Sequence, residues 1–204
     1  MTATRKRKRK SKSIPTGFDF TSRMRALCAD MVARVPQLHH IDISHVAFSF
    51  SQARRRVSHG LYATLTPMRF ENGAMTEVRR GHRYSVQRLF DEHGQEMLYI
   101  LSFYLPRYMD VDIHEKLVTI FHELWHVSPS FDGDLRRHPG RCYAHTRSQK
   151  DYDGFAGRLA DLWLSASPPE DLFAFLHMTF DELQNRHGRV FGMKITQPKL
   201  LPVD

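Results

Sequence analysis

The segment His122-Glu123-Leu124-Trp125-His126 constrains this chain more than any other, because it places two imidazoles four residues apart in a pattern that predicts an α-helix. Each helical residue turns by about 100°, so side chains four positions apart project from nearly one face. Asp112 would lie at the start of this helix, where its charge suits the helix dipole, and Pro129 would end it. The apolar residues recur at spacings of three and four: Ile113, Leu117, Ile120, Phe121, Leu124 and Trp125.

This spacing suits the binding of one zinc ion. Two histidines at positions i and i+4 of a helix can share a metal, and a glutamate beside the first can take a proton from a water at the open coordination position. His122 and His126 are therefore the candidate ligands and Glu123 the candidate general base, which together perform peptide hydrolysis. The alternative interpretation is a core helix whose two histidines are satisfied by hydrogen bonds.

A catalytic zinc usually takes a third protein ligand, and the helix face offers only two. The loop at residues 128–145 contains Pro, Gly and Asp residues that favour turns, and it could fold back over the metal. Within this loop His138 and His145 are both candidates for the third ligand. Cys142 lies between them, so the rival interpretation is a closed Cys/His site in which zinc only stabilises the fold. A closed site would have no need of Glu123.

The same stretch resembles a known family, the phage metallopeptidases, which are distantly similar to the SprT-like and Spartan-like proteases. The resemblance covers about residues 122–152 and, more weakly, residues 177–199. It is carried by His-Glu-Leu-Trp-His, then Pro, Phe and Gly, then Leu-Arg-Arg-His, where the family has HExxH, a Pro, a Phe, a Gly and Leu-Arg-x-His. By position it implies the two helical histidines as zinc ligands and Glu123 as general base. It also implies His138 as the third ligand, and a zincin-like fold without a particular substrate.

Other side chains near the motif could stabilise the oxyanion that forms when a carbonyl is attacked. Tyr143 and Tyr152 could donate a hydrogen bond, and Tyr143 is the candidate catalytic residue of the two. Arg136, Arg137 and Arg141 could act through their charge. Each of these side chains is more often a loop anchor or a solvated charge.

The formal charge of +8 is concentrated at the N-terminus, in a run without any acidic residue. Because such a run repels itself and buries nothing, residues 1–16 are expected to form a disordered arm. This arm either binds the phosphates of nucleic acid or is a solvated leader that aids solubility. Its cations, the candidate nucleic-acid-binding residues, are Arg5, Lys6, Arg7, Lys8, Arg9, Lys10 and Lys12.

Length and composition favour one domain, residues 17–204, in a reducing compartment. With 204 residues, of which 41% are hydrophobic, the chain can bury a single core. Apolar runs stay below the roughly 20 residues that a membrane span needs, and the basic N-terminus lacks the apolar segment of a secretory signal. Two cysteines are too few for a disulfide framework, which favours the cytoplasm.

The order of predicted elements is that of an α+β, zincin-like domain. An amphipathic first helix is predicted from Phe20 to Val35. Two more helices are predicted after the metal helix, a backing helix at residues 155–164 and a C-terminal helical stretch near residues 172–180. Glu96–Leu105 is the candidate for the sheet edge along which a substrate would be laid out. Four β-like runs predict a small, mostly antiparallel sheet: residues 41–50 with a one-residue slip that indicates a bulge, 61–70, 76–86 and 96–105.

These patterns predict a zinc-dependent metallopeptidase that hydrolyses peptide bonds in a protein or peptide substrate. Zn²⁺ is the expected cofactor, although manganese, cobalt or iron could occupy the same nitrogen ligands. The basic arm could tether the enzyme to nucleic acid, and no membrane partner is expected. The alternative is a non-catalytic, metal-stabilised module that binds nucleic acid or protein.

Overall fold

A computed structural model describes residues 16–53, 60–137 and 149–203, and these form an α+β fold. The predicted N-terminal arm lies outside the described residues except for Thr16. The loop candidates His138, Cys142, Tyr143 and His145, together with Arg141, also lie outside them.

Along the described part of the chain, most strands follow one another between the first and second helices, and the later helices then follow one another. The helices are α1 (Phe20–Arg34), α2 (Ile113–Trp125), α3 (Gln149–Ser165), α4 (Glu170–Phe173) and α5 (Phe180–His187). The strands are β1 (Phe18–Asp19), β2 (Val46–Gln52), β3 (Ala63–Pro67), β4 (Thr76–Arg79), β5 (His82–Val86), β6 (Tyr99–Leu105), β7 (Val190–Phe191) and β8 (Leu200–Pro202).

The predicted first helix is confirmed as α1. It begins because the Asp19 carboxylate accepts a hydrogen bond from the Ser22 N–H at 3.1 Å, which satisfies one of the unpaired donors of the first turn. It ends at Arg34, and the C-cap residue Val35 stands directly before Pro36. One face of the helix is buried in the core, as the apolar spacing predicts: Phe20, Met24, Leu27 and Met31.

The central sheet has the strand order β2-β6-β3, with β6 parallel to β2 and antiparallel to β3. The prediction that Glu96–Leu105 supplies the sheet edge beside the metal helix is therefore wrong. The sequence Tyr-Ile-Leu-Ser-Phe-Tyr-Leu of β6 is apolar on both faces and almost entirely buried, as a central strand requires. The strand at the edge beside α2 is β3, and it is shorter than the predicted run at residues 61–70.

The four predicted strands do not form one sheet. The segment 76–86 folds as the hairpin β4–β5, which pairs with β8 in a second three-stranded sheet. A further parallel pair joins β1 to β7. The hairpin turns at Arg80 and Gly81, which both adopt positive φ values, 51° and 84°, and reverse the chain after four residues of β4.

Two other predicted elements are replaced by short 3-10 turns. The slip assigned to a bulge is a turn at Ile43–His45 that precedes β2, where the Asp42 carboxylate accepts from the Ser44 N–H at 2.9 Å. The predicted C-terminal helical stretch is interrupted by a turn at Ala174–His177 between α4 and α5. The helix α5 then begins at a capping box formed by Thr179 and Glu182.

The core lies between α1, the inner face of the central sheet, and the pair α2 and α3. The predicted backing helix is confirmed as α3, which is longer than its predicted extent and packs along α2. Its Trp163 is fully buried, and the indole N–H donates to the Asp30 carboxylate on α1 at 2.8 Å. Burial of each large apolar side chain contributes about 1.5–3 kcal/mol. Within the described ranges, none of the helices has the length and apolarity needed to cross a membrane.

Candidate metal centre

The helix predicted to carry His122, Glu123 and His126 is confirmed as α2, with His126 as its C-cap residue. The Asp112 carboxylate caps its N-terminus by accepting a hydrogen bond from the Glu115 N–H at 2.9 Å. The apolar stripe of the helix is buried against the core, which fixes the rotation of the opposite face. The helix ends at Trp125, earlier than Pro129, so His126 occupies the C-cap position with a helical φ of −69°.

The structure brings the two predicted histidine ligands together. The ring centroids of His122 and His126 are 4.8 Å apart, and the ring planes are inclined by 73°. Both rings are shielded from water, because the His122 side chain is 15% exposed and His126 is 7% exposed. Two imidazoles at this separation can share one metal ion.

Two consecutive residues of α3 hold these rings in place. The Asp153 carboxylate lies 2.8 Å from Nδ1 of His122, and the Tyr152 hydroxyl lies 3.1 Å from Nδ1 of His126. Metal-binding histidines usually donate the N–H of their second nitrogen to such a partner, which fixes the tautomer and the ring orientation. The arrangement therefore assigns Nε2 of each ring as the nitrogen that would bind a metal, with Nδ1 carrying the proton.

Tyr152 contacts both imidazoles. Its ring stacks on His126 with centroids 4.9 Å apart and an interplanar angle of 22°, and its centroid lies 4.7 Å from that of His122. Burial raises the pKa of the Tyr152 hydroxyl above its usual value, while the charge of Arg136 acts in the opposite direction. The hydroxyl is thus a neutral group that positions His126. An oxyanion-binding role, which the sequence suggested for it, is not what these contacts favour.

Arg136 and Arg137 are loop anchors in this structure. Nε of Arg136 donates to the Trp125 carbonyl at 2.7 Å, and its guanidinium carbon lies 3.6 Å from the centroid of the Trp125 ring. Nε of Arg137 donates to the buried carboxylate of Asp134 at 2.8 Å. These contacts agree with the anchoring alternative for both arginines.

Glu123 joins the helix to the sheet edge. Its Oε2 accepts a hydrogen bond of 2.7 Å from the backbone N–H of Leu65 in β3. Burial raises the pKa of the Glu123 carboxyl to about 7, although the hydrogen bond from Leu65 acts in the opposite direction. A nearby cation would lower this pKa again, because it stabilises the carboxylate. The Glu123 side chain is therefore fixed by a hydrogen bond and partly shielded from water, as suits a general base.

A cleft of about 350 Å³ separates β3 from α2. Residues 60–63 form one wall, and the other wall carries His122, Glu123 and Asp153. The Tyr62 carbonyl accepts from the N–H of Tyr104 in β6. In an antiparallel pair, successive residues point their backbone N–H and carbonyl alternately toward and away from the neighbouring strand, so those of Ala63 face away from β6. They face the side on which the cleft lies.

A catalytic zinc needs three protein ligands, and the described residues include two of the predicted ones, His122 and His126. Across residues 16–53, 60–137 and 149–203, no group of three or more His, Cys, Asp or Glu side chains is arranged to hold a metal ion. His138 and His145 lie outside these ranges, so the choice between them stays a prediction. The donors that are described fit zinc, because both are imidazoles whose Nδ1 atoms are already engaged.

Asp153 is a site residue that the sequence did not reveal. It lies two residues before the predicted backing helix, and nothing in its spacing relates it to the HExxH segment 31 residues earlier. Only the packing of α3 on α2 brings its carboxylate to His122.

No family model matches the chain, and the same is true of curated proteins and of solved structures.

Proposed function

We propose that this protein is a zinc-dependent metallopeptidase. The observation that carries the proposal is the pair of shielded imidazoles with engaged Nδ1 atoms, next to a half-buried glutamate that lines a cleft. His122 and His126 would hold the metal through Nε2, with a third ligand from the loop at residues 138–145. When bound, zinc supplies a Lewis acid that lowers the pKa of water and polarises a carbonyl.

Glu123 would perform the proton transfers. Its Oε2 is held by the Leu65 N–H, so we assign to Oε1 the proton that the attacking water gives up. The same oxygen would then deliver this proton to the nitrogen of the leaving amine. Asp153 and Tyr152 would keep the two imidazoles oriented while this occurs.

The edge of β3 would bind the substrate as an additional strand. Ala63 has backbone groups that face away from β6, and main-chain hydrogen bonds to an edge strand are a common way to bind an extended peptide. The Leu65 N–H is already used by Glu123 and the Leu61 carbonyl accepts from Arg107, so pairing would involve the N–H and carbonyl of Ala63. Leu61, which is 61% exposed, would contact substrate side chains.

One observation favours the alternative, a non-catalytic module stabilised by metal. His126 is only 7% exposed, as a ligand in a closed structural site would be. Against this alternative, His122 and Glu123 line an open cleft, which a purely structural site does not need. In either case, the seven cations at residues 5–12 would tether the protein to nucleic acid by contact with phosphates.

The decisive experiment compares Glu123→Gln with the wild type for bound metal and for cleavage of an unfolded test protein. We expect one zinc per chain in both, and a loss of cleavage of about 10²–10⁴-fold in the variant. Glu170→Gln, which changes an exposed glutamate on α4, is the matched control and should cleave like the wild type. Undiminished cleavage by Glu123→Gln would remove this residue from the mechanism. Zinc bound by four protein ligands without cleavage would establish the structural alternative.

A further inference from the structure

The central sheet carries hydroxyl groups on its outer face, the side away from α1 and α2. In the parallel pair of β2 and β6, Ser49 lies opposite Ser102 and Ser51 lies opposite Tyr104. Residues two positions apart in a strand project from one face, and so do residues that lie opposite each other, so these four side chains share the outer face. The phenylalanines between them belong to the core that includes α1 and α2.

The segment at residues 193–199, here called the strap, crosses this outer face. Beside β2, the Ser49 hydroxyl accepts a hydrogen bond of 2.9 Å from the N–H of Ile195. At β3, the Thr66 hydroxyl donates to the side-chain oxygen of Gln197 at 3.3 Å. The strap therefore runs from one edge strand of the central sheet to the other, across β6.

A pocket of about 320 Å³ lies between the strap and the sheet. This volume is roughly ten times the 30 Å³ that one water molecule occupies in the liquid, and it falls at the lower end of the range for small-molecule sites. The pocket is thus large enough for a small organic molecule. Its described lining consists of residues 49–51, Ser102, Tyr104 and residues 194–197.

The Ser102 hydroxyl faces this pocket and lacks a partner in the protein. Ser102 is only 9% exposed, and within the described part of the chain its hydroxyl makes no hydrogen bond. Its neighbour Ser49, by contrast, is bonded to the strap. Buried hydroxyls are nearly always paired, because an unpaired one loses its hydration without compensation. The partner of Ser102 is therefore expected to come from a molecule that enters the pocket.

The charge of the pocket favours an anion. Among the described lining residues, Lys194 supplies a positive charge and no Asp or Glu is present. The Lys194 ammonium lies 5.4 Å from the centroid of the Phe50 ring, at the rim of the pocket, and forms no ion pair with a described carboxylate. An anion in the pocket would therefore meet a cation that is not neutralised by another part of the described chain.

The hydrogen-bond donors of the pocket fit a phosphate group. Ser51, Ser102 and Tyr104 each carry a hydroxyl, and Lys194 adds an ammonium with three N–H groups. The Tyr104 hydroxyl shares a hydrogen bond of 3.1 Å with Thr64, which holds it beside the pocket. A carboxylate offers two acceptor oxygens, whereas a phosphate monoester offers three, so the larger group matches this number of donors better.

We propose that the pocket under the strap binds the phosphate group of a small molecule, with the Ser102 hydroxyl and the Lys194 ammonium as the main contacts. The proposal is independent of the metallopeptidase proposal, because the pocket lies on the face of the sheet away from α2.

The test measures binding of inorganic phosphate and of glycerol 3-phosphate to the full chain by isothermal titration calorimetry at constant ionic strength. Glycerol, which lacks the phosphate, should not bind. Ser102→Ala should raise the Kd of both phosphate probes about tenfold, because it removes one hydrogen bond to a charged acceptor. Lys194→Met should raise the Kd about fivefold, since water partly screens this exposed charge.

Each variant has a matched control. Lys199→Met removes the same charge from an exposed position of the strap that does not line the pocket, and Ser85→Ala removes a hydroxyl from β5 in the second sheet. Both controls should bind the probes like the wild type. The cations at residues 5–12 are present in every variant, so any phosphate that they bind contributes equally to each titration.

The thermal midpoint without phosphate separates a binding role of Ser102 from a structural one. Ser102→Ala removes an unpaired buried hydroxyl, so its midpoint should equal or exceed that of the wild type. A hydroxyl that stabilised the sheet through a bond within the protein would give a lower midpoint, which would contradict the proposal.

Four titration results would also overturn the proposal. These are no binding of either phosphate probe, an unchanged Kd in Ser102→Ala and Lys194→Met, an equal loss in the controls, or acetate binding as tightly as phosphate. If Ser102→Ala fails to fold, Lys194→Met decides the outcome alone, because its side chain is exposed on the strap and outside the core.

Discussion

The carboxylate of Asp153 offers a quantitative test of the metal centre. In the wild type, Nδ1 of His122 lies 2.8 Å from the Asp153 carboxylate. In Asp153→Asn the amide oxygen can still accept the hydrogen bond from Nδ1, but the negative charge is lost. Loss of such a partner weakens metal binding by about 10–100-fold. The Asp153 side chain is 42% exposed, so water screens part of its charge and the lower limit applies. We expect the Kd for zinc to rise about tenfold, or about 1.4 kcal/mol.

The assay is a titration of the metal-free protein with zinc in competition with a chromophoric chelator near neutral pH. Asp161→Asn is the control, since Asp161 is an exposed carboxylate on the same helix. This control should bind zinc like the wild type. If Asp153→Asn also binds zinc with the wild-type Kd while its fold is intact, Asp153 does not act on the metal through His122, and the assignment of Nε2 as the metal-binding atom loses its support.

Two further predictions concern stability. The pKa of Glu96 is lowered to about 2 by a hydrogen bond from Arg88 and by a second arginine, so Glu96→Gln should reduce the free energy of unfolding near pH 7 by about 1 kcal/mol after allowance for solvent screening. This loss of stability should be fully present above about pH 4.5, the ordinary pKa of the carboxyl, and should disappear as the pH falls through 2. Urea titrations across this pH range measure it. A stability difference that stays constant with pH would refute the prediction. Lys116→Met should lower the free energy of unfolding by about 2–4 kcal/mol, because the buried ammonium donates to the carbonyls of Leu176 at 2.7 Å and Met178 at 2.9 Å. Urea denaturation that shows no loss of stability would contradict this prediction.

Helical elements could be predicted from the sequence because their signals are local. The apolar stripe and the cap at Asp112 define α2 within one residue of its observed start, and the same periodicity defines α1. The two histidines and the glutamate of the site lie on that one helix, so their proximity follows from its geometry alone. Strand positions were also predicted approximately.

The arrangement of strands and helices could not be predicted in the same way. A strand's neighbours depend on packing between distant segments, so the central position of β6 and the edge position of β3 were not evident from their alternation patterns. The same reason applies to Tyr152 and Asp153, which reach the imidazoles only because α3 packs along α2. The loop that contains His138 and His145 lies outside the described residues, so its part in the site stays a prediction.

Because Tyr152 and Asp153 are neighbours on a single helix, the orientations of both imidazoles depend on one rigid element. A slide or rotation of α3 would move the His122 and His126 rings together. The far end of α3 is attached to α1 by the hydrogen bond between Trp163 and Asp30. Substitutions of Trp163 or Asp30 should therefore weaken zinc binding although neither residue is a candidate ligand. The zinc content of such variants would then report on how α3 packs against α1 and α2.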